Sequence, residues 1–364
     1  MKLLIINPGS TSTKLSLYED EKVLCEDSIF HDAPELLQFP HVNEQVPFRK
    51  KVIMDFLSSN KVKLEEIDVF VGRGGSAQPC RSGVMAINEK LYEDTRDAVG
   101  GSEHPAKLGV LLAYELGKET GKKMFTLNPT NVDELNDYAR LTGIKGLYRN
   151  AQSHVLNQKA VGHYHAEKQQ ECYEEKNYII AHIDGGITVS AHEKGRMVDG
   201  NVGSGGDGAY TPTRLGSVPV LKLLDYLEKH SIQEVRTMCS RSGGFVSYFG
   251  TSNSDTIYEL VLKKDPKATL VWDSMIYQIC KQIGEMAAVL NGRVDAILLT
   301  GGLMRFQDIE DKIRERCDWI APIYTYPGEK EQEELAKETL KVLRGEEEAQ
   351  EYTGIPVFNG FDFL

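Results

Sequence analysis

The sequence lacks the features expected of a nucleic-acid-binding, membrane or secreted protein. Its 42 lysines and arginines are outnumbered by 54 aspartates and glutamates, and the formal net charge of −12 argues against a nucleic-acid or anionic-membrane partner. No apolar run approaches the length of a transmembrane helix, and the opening MKLLIINP is too short for a signal peptide. The six cysteines form no CxxC pair, which is typical of reduced thiols. We therefore expect a cytoplasmic protein.

The first unusual stretch is IINPGSTSTK at residues 5–14. An apolar strand ends there in a turn rich in glycine, serine and threonine, whose backbone N–H groups and hydroxyls can surround a phosphate. The stretch does not have the spacing of a Walker phosphate loop. Taken alone, it leaves phosphate binding and a plain hairpin turn equally open.

The same plan recurs in the second half of the chain. Residues 178–200 repeat the order of residues 3–27, namely an apolar strand, a glycine turn, an alternating strand, a charged turn and a third strand. Three pairs of residues then correspond: Asn7 with Asp184, Gly9 with Gly186 and Thr11 with Thr188. The two hairpins are therefore interpreted as two copies of one structural motif.

Length and duplication together predict two domains. The 364 residues exceed what one hydrophobic core usually supports. We place the domains at 1–177 and 178–364, and the final segment is free to pack back on the first domain. Residues 104–121 and 273–292 have apolar residues at helical spacing and end at glycine, so each is predicted to be an amphipathic helix.

A duplicated strand–glycine-turn–strand hairpin resembles the two phosphate-binding loops of a known ATPase superfamily. Its members include actin, sugar kinases, acetate kinase and the heat-shock chaperone ATPases. The resemblance implies an α/β fold of two ribonuclease-H-like lobes, with an interlobe cleft that holds the nucleotide phosphates. The strand that ends in the paired glycines Gly301 and Gly302 resembles the adenosine site of that fold.

Five segments resemble one branch of this superfamily, the acetokinase family, and within it the butyrate kinases. They are NPGSTSTK (7–14), VGRGG (71–75), SHVLNQKA (153–160), AHIDGGITVSAHEKGRMVDG (181–200) and YTPTRLGSVP (210–219), with support from LLTGGL (298–303) and YPGEKEQEEL (326–335). The resemblance implies reversible phosphorylation of a short-chain fatty acid, butyrate or a branched relative, by ATP and Mg²⁺. It also implies a homodimer or higher homo-oligomer, for which the helix at 273–290 is a candidate surface.

The residues expected to act on the phosphoryl group lie in these motifs. Arg73 and Arg214 are in glycine-flanked loops, and a guanidinium pairs bidentately with carboxylate or phosphate. By resemblance, the two arginines hold the carboxylate and the phosphoryl group, and His154 steadies the equatorial oxygens of that group. His104 opens a helix and either contacts a ligand or caps the helix. The remaining histidines considered, His31, His41, His192 and His230, carry no such context.

The resemblance also assigns the nucleotide and metal ligands. The nucleotide-binding residues are Asn7, Gly9, Ser10, Thr11, Ser12, Lys14, His182, Asp184, Gly185, Gly186, Gly301 and Gly302. The magnesium ligands are Asn7, Asp184 and Glu331, with Glu329 as an alternative to Glu331. A glutamate at a helix start also complements the helix dipole, so a structural interpretation of Glu331 stays open.

The chain departs from the family pattern at three positions. Asn128 stands where relatives carry a catalytic Asp, Asp184 stands where butyrate kinases usually carry glycine, and Leu215 replaces a small residue. One hypothesis joins the first two changes: Asp184 restores the charge lost at Asn128. The alternatives are a catalytically impaired nucleotide-binding regulator or scaffold, a kinase for a different acid, and a chaperone-like ATPase, for which no client-binding segment is found.

Overall fold

The computed structural model describes residues 1–10, 12–36, 38–75, 77–101 and 104–363. The chain divides into two compact units. The first comprises Met1–Asp133 and Lys330–Phe363, and the second comprises Glu134–Glu329. Each unit is an α/β structure built on one mixed sheet.

The first unit has a seven-stranded sheet in the order β12-β5-β6-β4-β1-β2-β3. Its strands are β1 (Lys2–Pro8), β2 (Ser12–Glu19), β3 (Lys22–Phe30), β4 (Val69–Gly72), β5 (Val84–Ala86), β6 (Lys123–Leu127) and β12 (Gln350–Glu351). Its α-helices are α1 (Ala33–Leu36), α2 (Val46–Ser59), α3 (Glu89–Arg96), α4 (Lys107–Thr120) and α13 (Glu331–Arg344). The apolar run of β1 is fully buried because β1 lies in the interior of the sheet, antiparallel to β2 and parallel to β4.

The second unit has a five-stranded sheet in the order β11-β10-β7-β8-β9. Its strands are β7 (Asn177–Ile183), β8 (Ile187–Glu193), β9 (Arg196–Gly200), β10 (Ala296–Gly301) and β11 (Ile323–Pro327). Its α-helices are α5 (Asp137–Arg140), α6 (Val155–Gln169), α7 (Val220–Leu227), α8 (Ile232–Thr237), α9 (Gly244–Phe249), α10 (Ser254–Leu262), α11 (Pro266–Val289) and α12 (Gln307–Cys317).

The two sheets share the same five-stranded plan. The order β3-β2-β1-β4-β6 in the first unit corresponds to β9-β8-β7-β10-β11 in the second. In both, the first three strands are antiparallel and the last two are parallel to the first. The duplication predicted from the two hairpins is therefore a duplication of the whole sheet core.

The division differs from the boundary proposed at residue 177. Residues 134–177 belong to the second unit, because α6 packs on β7 and β10. Residues 330–363 belong to the first unit, because α13 packs on β1 and β6. The apolar face of a helix does not reveal which sheet it covers, so sequence periodicity could not assign either helix.

The two amphipathic helices expected from periodicity are confirmed. Helix α4 ends at Gly121, which has a φ of 69° in the left-handed region. Helix α11 begins seven residues earlier than expected at Pro266, because the carboxylate of Asp265 accepts a hydrogen bond from the Ala268 N–H at 2.8 Å and caps the helix. The apolar stripe of α11 lies in the core of the second unit, so that stripe is not an exposed surface for a partner.

None of the helices in the described part of the chain has the length and hydropathy needed to cross a bilayer.

Candidate functional site

The first hairpin turn lies over a buried arginine. β1 and β2 pair as far as Pro8 and Thr13, and the Gly9 N–H donates to the Ser12 carbonyl at 2.8 Å. From helix α2, Arg49 donates to the carbonyl of Ser12 at 2.6 Å and to that of Gly9 at 3.1 Å. It also donates to the Thr13 hydroxyl at 2.8 Å. Arg49 therefore holds the backbone in place on both sides of the predicted phosphate turn.

The charge of Arg49 has no acidic counterpart among the described residues. The side chain is fully buried, and its remaining bonds go to the neutral Oε1 of Gln45. Burial lowers the pKa of Arg49 to about 10, which still leaves it charged near neutral pH. A buried cation without a counter-charge is costly, so the positive charge beneath this turn would favour an anion there.

The other turn residues have different exposures. Ser10 is exposed, Lys14 is half-buried and Ser12 is buried. Thr11, which was assigned to the same turn, lies outside the described residues.

A second constellation in the first unit joins Asn7, Arg73 and Glu331. The Asn7 side-chain amide donates to Glu331 Oε2 at 2.7 Å, and Arg73 Nη2 lies 3.1 Å from Glu331 Oε1. Arg73 Nη1 also donates to Asn7 Oδ1 at 3.4 Å. Asn7 and Arg73 meet because β1 and β4 are parallel neighbours, so residues at their carboxyl ends share one edge of the sheet. Glu331 joins them from the first turn of α13.

Close packing of α4 positions the Arg73 loop. Gly72 lies so near the backbone of Gly109 in α4 that a Cβ on Gly72 would overlap the Gly109 carbonyl. The Arg73 N–H donates to the Ile6 carbonyl at 2.9 Å. The glycine before Arg73 is therefore required by the approach of the helix.

Asn128 and His104 make local contacts to the backbone. Asn128 is buried with a φ of 41°, in the left-handed region that asparagine tolerates. Its Oδ1 accepts from the Gly83 N–H at 2.7 Å. His104 Nδ1 accepts from the Ala106 N–H at 3.1 Å, just before α4 begins. The contact of Asn128 shows a structural use of that side chain and does not test its proposed catalytic role.

The second hairpin turn is organised by Asp184. β7 and β8 pair as far as Ile183 and Ile187, so this turn has one residue fewer than the first. Asp184 Oδ1 accepts from the Gly185 N–H at 2.7 Å, and Oδ2 accepts from the Gly302 N–H at 2.9 Å. The carboxylate thus ties its own turn to the end of β10.

The paired glycines after β10 permit this contact. Gly301 has a φ of 102°, and a Cβ there would overlap the Ile183 carbonyl. A Cβ on Gly302 would lie 2.7 Å from Asp184 Oδ2. The glycines are required by the close approach of the Asp184 turn, and their predicted contact with adenosine stays a prediction.

Arg214 lies against the same turn. A Cβ on Gly186 would lie 2.5 Å from Arg214 Nη1, so the guanidinium covers that glycine directly. Thr211 and Thr213 hold the Arg214 loop in place by donating to the Gly185 carbonyl at 2.6 and 2.9 Å. Arg214 Nη1 donates to the Gly203 carbonyl, whereas the buried Nε has no partner in the described part of the chain. Burial lowers the pKa of this arginine too.

Two histidines stack beside this turn. The rings of His154 and His182 have centroids 4.0 Å apart and are inclined by 14°. His154 precedes α6, and its Nδ1 lies 2.9 Å from the Thr188 hydroxyl. His182 is buried near the end of β7, and its Nδ1 lies 2.9 Å from the amide nitrogen of Asn157.

Three groups of the second unit form a candidate metal cluster. A ring nitrogen of His182 and carboxylate oxygens of Asp184 and Glu329 all lie within 4.8 Å of one another. Glu329 is brought there because Gly301 and Gly328 exchange two backbone hydrogen bonds of 3.0 Å. The two glutamates considered as alternative magnesium ligands thus lie in different places. Glu329 lies with Asp184, and Glu331 lies with Asn7.

Sequence reasoning missed four residues that build these sites. Arg49 lies in an ordinary amphipathic stretch, VPFRKKVIMDFL, which carries no functional signal. Thr211 lies inside the YTPTRLG segment, but only its arginine was assigned a role. Asn157 and Gln158, whose amide nitrogen lies 2.8 Å from the Thr188 hydroxyl, lie inside SHVLNQKA, where only the histidine was singled out. The motifs marked the correct segments for the last three residues, but not their roles.

Comparisons with known proteins find one family and several similar structures. The sequence model of the acetokinase family matches residues 143–315, which contain His154, His182, Asp184 and Arg214. The acetate kinase of Porphyromonas gingivalis is 20% identical with a TM-score of 0.75, over 94% of this chain and 99% of that one. The acetate kinase of Entamoeba histolytica is 16% identical with a TM-score of 0.74, over 94% and 99%. The propionate kinase of Francisella tularensis is 16% identical with a TM-score of 0.72, over 93% and 98%.

At these identities the likenesses establish the fold. The predicted fold class, a two-lobe α/β fold of the acetate kinase type, is confirmed.

Proposed function

We propose that this protein is an ATP-dependent carboxylate kinase of the acetokinase family that phosphorylates a short-chain fatty acid such as butyrate. One observation carries the proposal: each of the two glycine turns has an arginine, the buried Arg49 or the half-buried Arg214, with only neutral partners among the described residues. Each of these uncompensated cations suits an anionic ligand at its own turn. The family match over residues 143–315 supports the same assignment.

Phosphoryl transfer to a carboxylate depends more on neutralising the negative charges of the reactants than on covalent catalysis. Transfer of a phosphoryl group to a carboxylate brings two anions together, so alignment and electrostatic stabilisation dominate. We assign Arg73 to the carboxylate and Arg214 to the phosphoryl group. We assign His154 and His182 to phosphoryl oxygens, to which their ring N–H groups can donate. Water must be excluded, because it would hydrolyse the acyl phosphate.

The candidate metal ligands have the donor chemistry that Mg²⁺ prefers. Asn7 and Glu331 in the first unit, and Asp184 and Glu329 in the second, offer amide and carboxylate oxygens. Each Asp184 oxygen accepts one backbone hydrogen bond and keeps further lone pairs for a cation. Bound Mg²⁺ would shield the charge of the triphosphate.

The acyl chain is proposed to lie behind the Arg73 loop. A cavity there is lined by Gly74 and Gly75 of that loop and by the apolar side chains of Met85, Leu91 and Val110. Substrate selection by chain length is therefore proposed to depend on this part of the first unit.

A second candidate function is a nucleotide-binding protein without kinase activity. It is favoured by Asn128, whose Oδ1 is engaged with the Gly83 N–H and which supplies no carboxylate where relatives carry an Asp. Such a protein would bind ATP without turning it over.

The test is a hydroxamate assay with MgATP, hydroxylamine and a series of acids from acetate to valerate. Formation of acyl hydroxamate with a maximum at butyrate or isobutyrate would support the proposal, and a maximum at another acid would reassign the substrate. ATP binding measured by calorimetry without any hydroxamate would overturn the kinase and support the second candidate. An Arg214→Gln variant is the matched control, and it should lose hydroxamate formation.

We further propose a homodimer or higher homo-oligomer in the cytoplasm. Helix α7 exposes Val220, Leu221 and Leu224, by 70, 76 and 55% respectively, which is an unusual apolar face for a monomer surface. All six cysteines are free thiols, as expected in a reducing compartment. Light scattering of the wild type and of Leu221→Glu would test the assembly, and a monomeric wild type would refute it.

A further inference from the structure

A chain of buried polar side chains runs through the second unit to His154. It begins at Tyr173, whose hydroxyl lies 2.6 Å from His192 Nδ1. His192 Nε2 lies 3.0 Å from Gln158 Oε1. Gln158 Nε2 lies 2.8 Å from the Thr188 hydroxyl, which lies 2.9 Å from His154 Nδ1. His192, Gln158 and Thr188 are each fully buried, so water does not replace these bonds.

The direction of the first bonds follows from the amide of Gln158. Its Nε2 lies 3.2 Å from the Thr188 carbonyl, which can only accept, so this end of the amide is the NH₂ group. Oε1 therefore faces His192, and the Nε2–H of His192 must donate to it. Complete burial holds the pKa of His192 well below its ordinary value, so the ring is neutral and carries one proton. Tyr173 consequently donates to His192 Nδ1.

The direction of the last bonds follows from the Thr188 hydroxyl. Its oxygen accepts from Gln158 Nε2, so that contact cannot take the hydroxyl proton. The other contact of the hydroxyl is His154 Nδ1, which therefore accepts this proton. A buried hydroxyl that lost this acceptor would leave its proton unsatisfied. His154 Nδ1 is thus an acceptor, and the single proton of the neutral ring lies on Nε2.

A separate chain fixes His182 in the same way. Thr300 donates to the Gly328 carbonyl at 2.9 Å, so its oxygen accepts from Asn157 Nδ2 at 3.3 Å. The amide orientation of Asn157 is thereby set, and its Nδ2 also donates to His182 Nδ1 at 2.9 Å. Each of the two stacked rings is thus held in the Nε2–H form by its own set of bonds.

We infer that Gln158 and Thr188, supported by His192, are positioning residues that hold His154 as a neutral Nε2–H donor for the oxygens of a phosphoryl group. The identity of that ligand rests on the proposed function, whereas the tautomer does not. Such a ring binds an anionic oxygen by a hydrogen bond and does not accept a proton from it.

The first experiment reads the tautomer directly and needs no activity. Long-range ¹⁵N–¹H correlation spectra of the whole protein labelled with ¹⁵N-histidine distinguish Nε2–H from Nδ1–H, and His154→Gln and His182→Gln variants assign the signals. The wild type should show both rings as Nε2–H. A wild-type His154 in the Nδ1–H form would overturn the inference.

Two variants test the chain that sets the tautomer. Thr188→Val removes the hydroxyl while keeping the shape, and His154 should then populate both tautomers. Gln158→Glu offers only acceptors to Thr188, so the hydroxyl should turn to the carboxylate and His154 should move to Nδ1–H. Thr325→Val is the matched control, since its buried hydroxyl has no partner among the described residues, and it should leave both rings unchanged. An unchanged His154 signal in both test variants would overturn the inference.

Kinetics separate this inference from the proposed function. If the protein is a kinase, Thr188→Val should lower kcat by roughly tenfold, the value of one hydrogen bond, with a smaller effect on the KM for ATP. A normal kcat in a variant whose tautomer has shifted would overturn the positioning role. A wild type that shows the Nε2–H form without any kinase activity would refute the proposed function and leave the tautomer assignment intact.

Discussion

Arg73 and Glu331 form an ion pair, with Nη2 and Oε1 3.1 Å apart and the glutamate side chain almost fully buried. Sequence reasoning had assigned these two residues to different ligands, the arginine to a carboxylate and the glutamate to a metal ion. In the structure each serves as the counter-charge of the other. A bound carboxylate would compete with Glu331 for the guanidinium, and a bound cation would compete with Arg73 for the glutamate.

The Glu331→Gln variant tests this coupling. We expect the concentration of Mg²⁺ needed for half-maximal activity to rise about tenfold or more, because a charged ligand is replaced by a neutral one. Stability should fall by about 1–3 kcal/mol, because Arg73 loses a buried counter-charge. Magnesium titration of the activity and chemical unfolding measure the two effects.

Glu333→Gln is the matched control for that variant. Glu333 lies in the same first turn of α13 but is exposed, so its replacement should leave both quantities unchanged. Equal Mg²⁺ requirements for wild type and Glu331→Gln would remove Glu331 from the metal site.

Arg49 gives a second prediction. Arg49→Met removes the buried charge beneath the first turn, and the affinity for ADP should fall by about tenfold or more, as for a lost charge-assisted interaction. Arg49→Lys keeps the charge without the fork of donors and should recover part of the affinity. Calorimetric titration with ADP measures both variants. Lys51→Met, an exposed position on the same helix, is the control, and ADP affinities that match across all variants would contradict an anion-binding role for the first turn.

The sequence was most informative where chain geometry forces residues together. The two hairpins follow from local patterns. Asn7 and Arg73 lie at the ends of the neighbouring parallel strands β1 and β4, a pairing that the local patterns did not predict. Arg49 could not be found, because its role comes from the packing of α2 under a turn that ends nearly 40 residues before it. Gln158 and His192 were missed for the same reason, since a hydrogen-bond chain between a helix and a strand leaves no periodic trace.

The third prediction tests the hypothesis that the Asp184 carboxylate replaces the negative charge that Asn128 does not supply. Both its carboxylate oxygens accept backbone hydrogen bonds, so Asp184→Asn puts an NH₂ group against one N–H donor. We expect a loss of about 1–2 kcal/mol of stability together with loss of Mg²⁺-dependent turnover. Adding Asn128→Asp should restore part of the turnover, because it returns the missing negative charge. The new carboxylate can still accept from the Gly83 N–H. Full turnover in Asp184→Asn alone would refute the hypothesis.

The fourth prediction concerns the response of the first unit to acid. His31 is buried, its Nε2 lies 2.8 Å from the Thr13 hydroxyl, and its ring meets Phe48 edge-on at 5.0 Å. Burial, and secondly the charge of Arg49, lower the pKa of His31 to about 4. The unfolded chain has its ordinary histidine pKa of about 6.5, so between these values the unfolded state binds a proton that the folded state does not.

Stability should therefore fall as the pH decreases from about 6.5 towards about 4. His31→Gln cannot take up this proton, so its thermal unfolding midpoint should fall less than that of the wild type over the same range. His41→Gln, at an exposed histidine, should follow the wild type. Midpoints of His31→Gln that decline in parallel with the wild type would show that other groups cause the acid sensitivity. A smaller decline in His31→Gln would instead show that the acid sensitivity arises at His31. This residue contacts Thr13 below the first turn, and its uncharged form is needed beside Arg49.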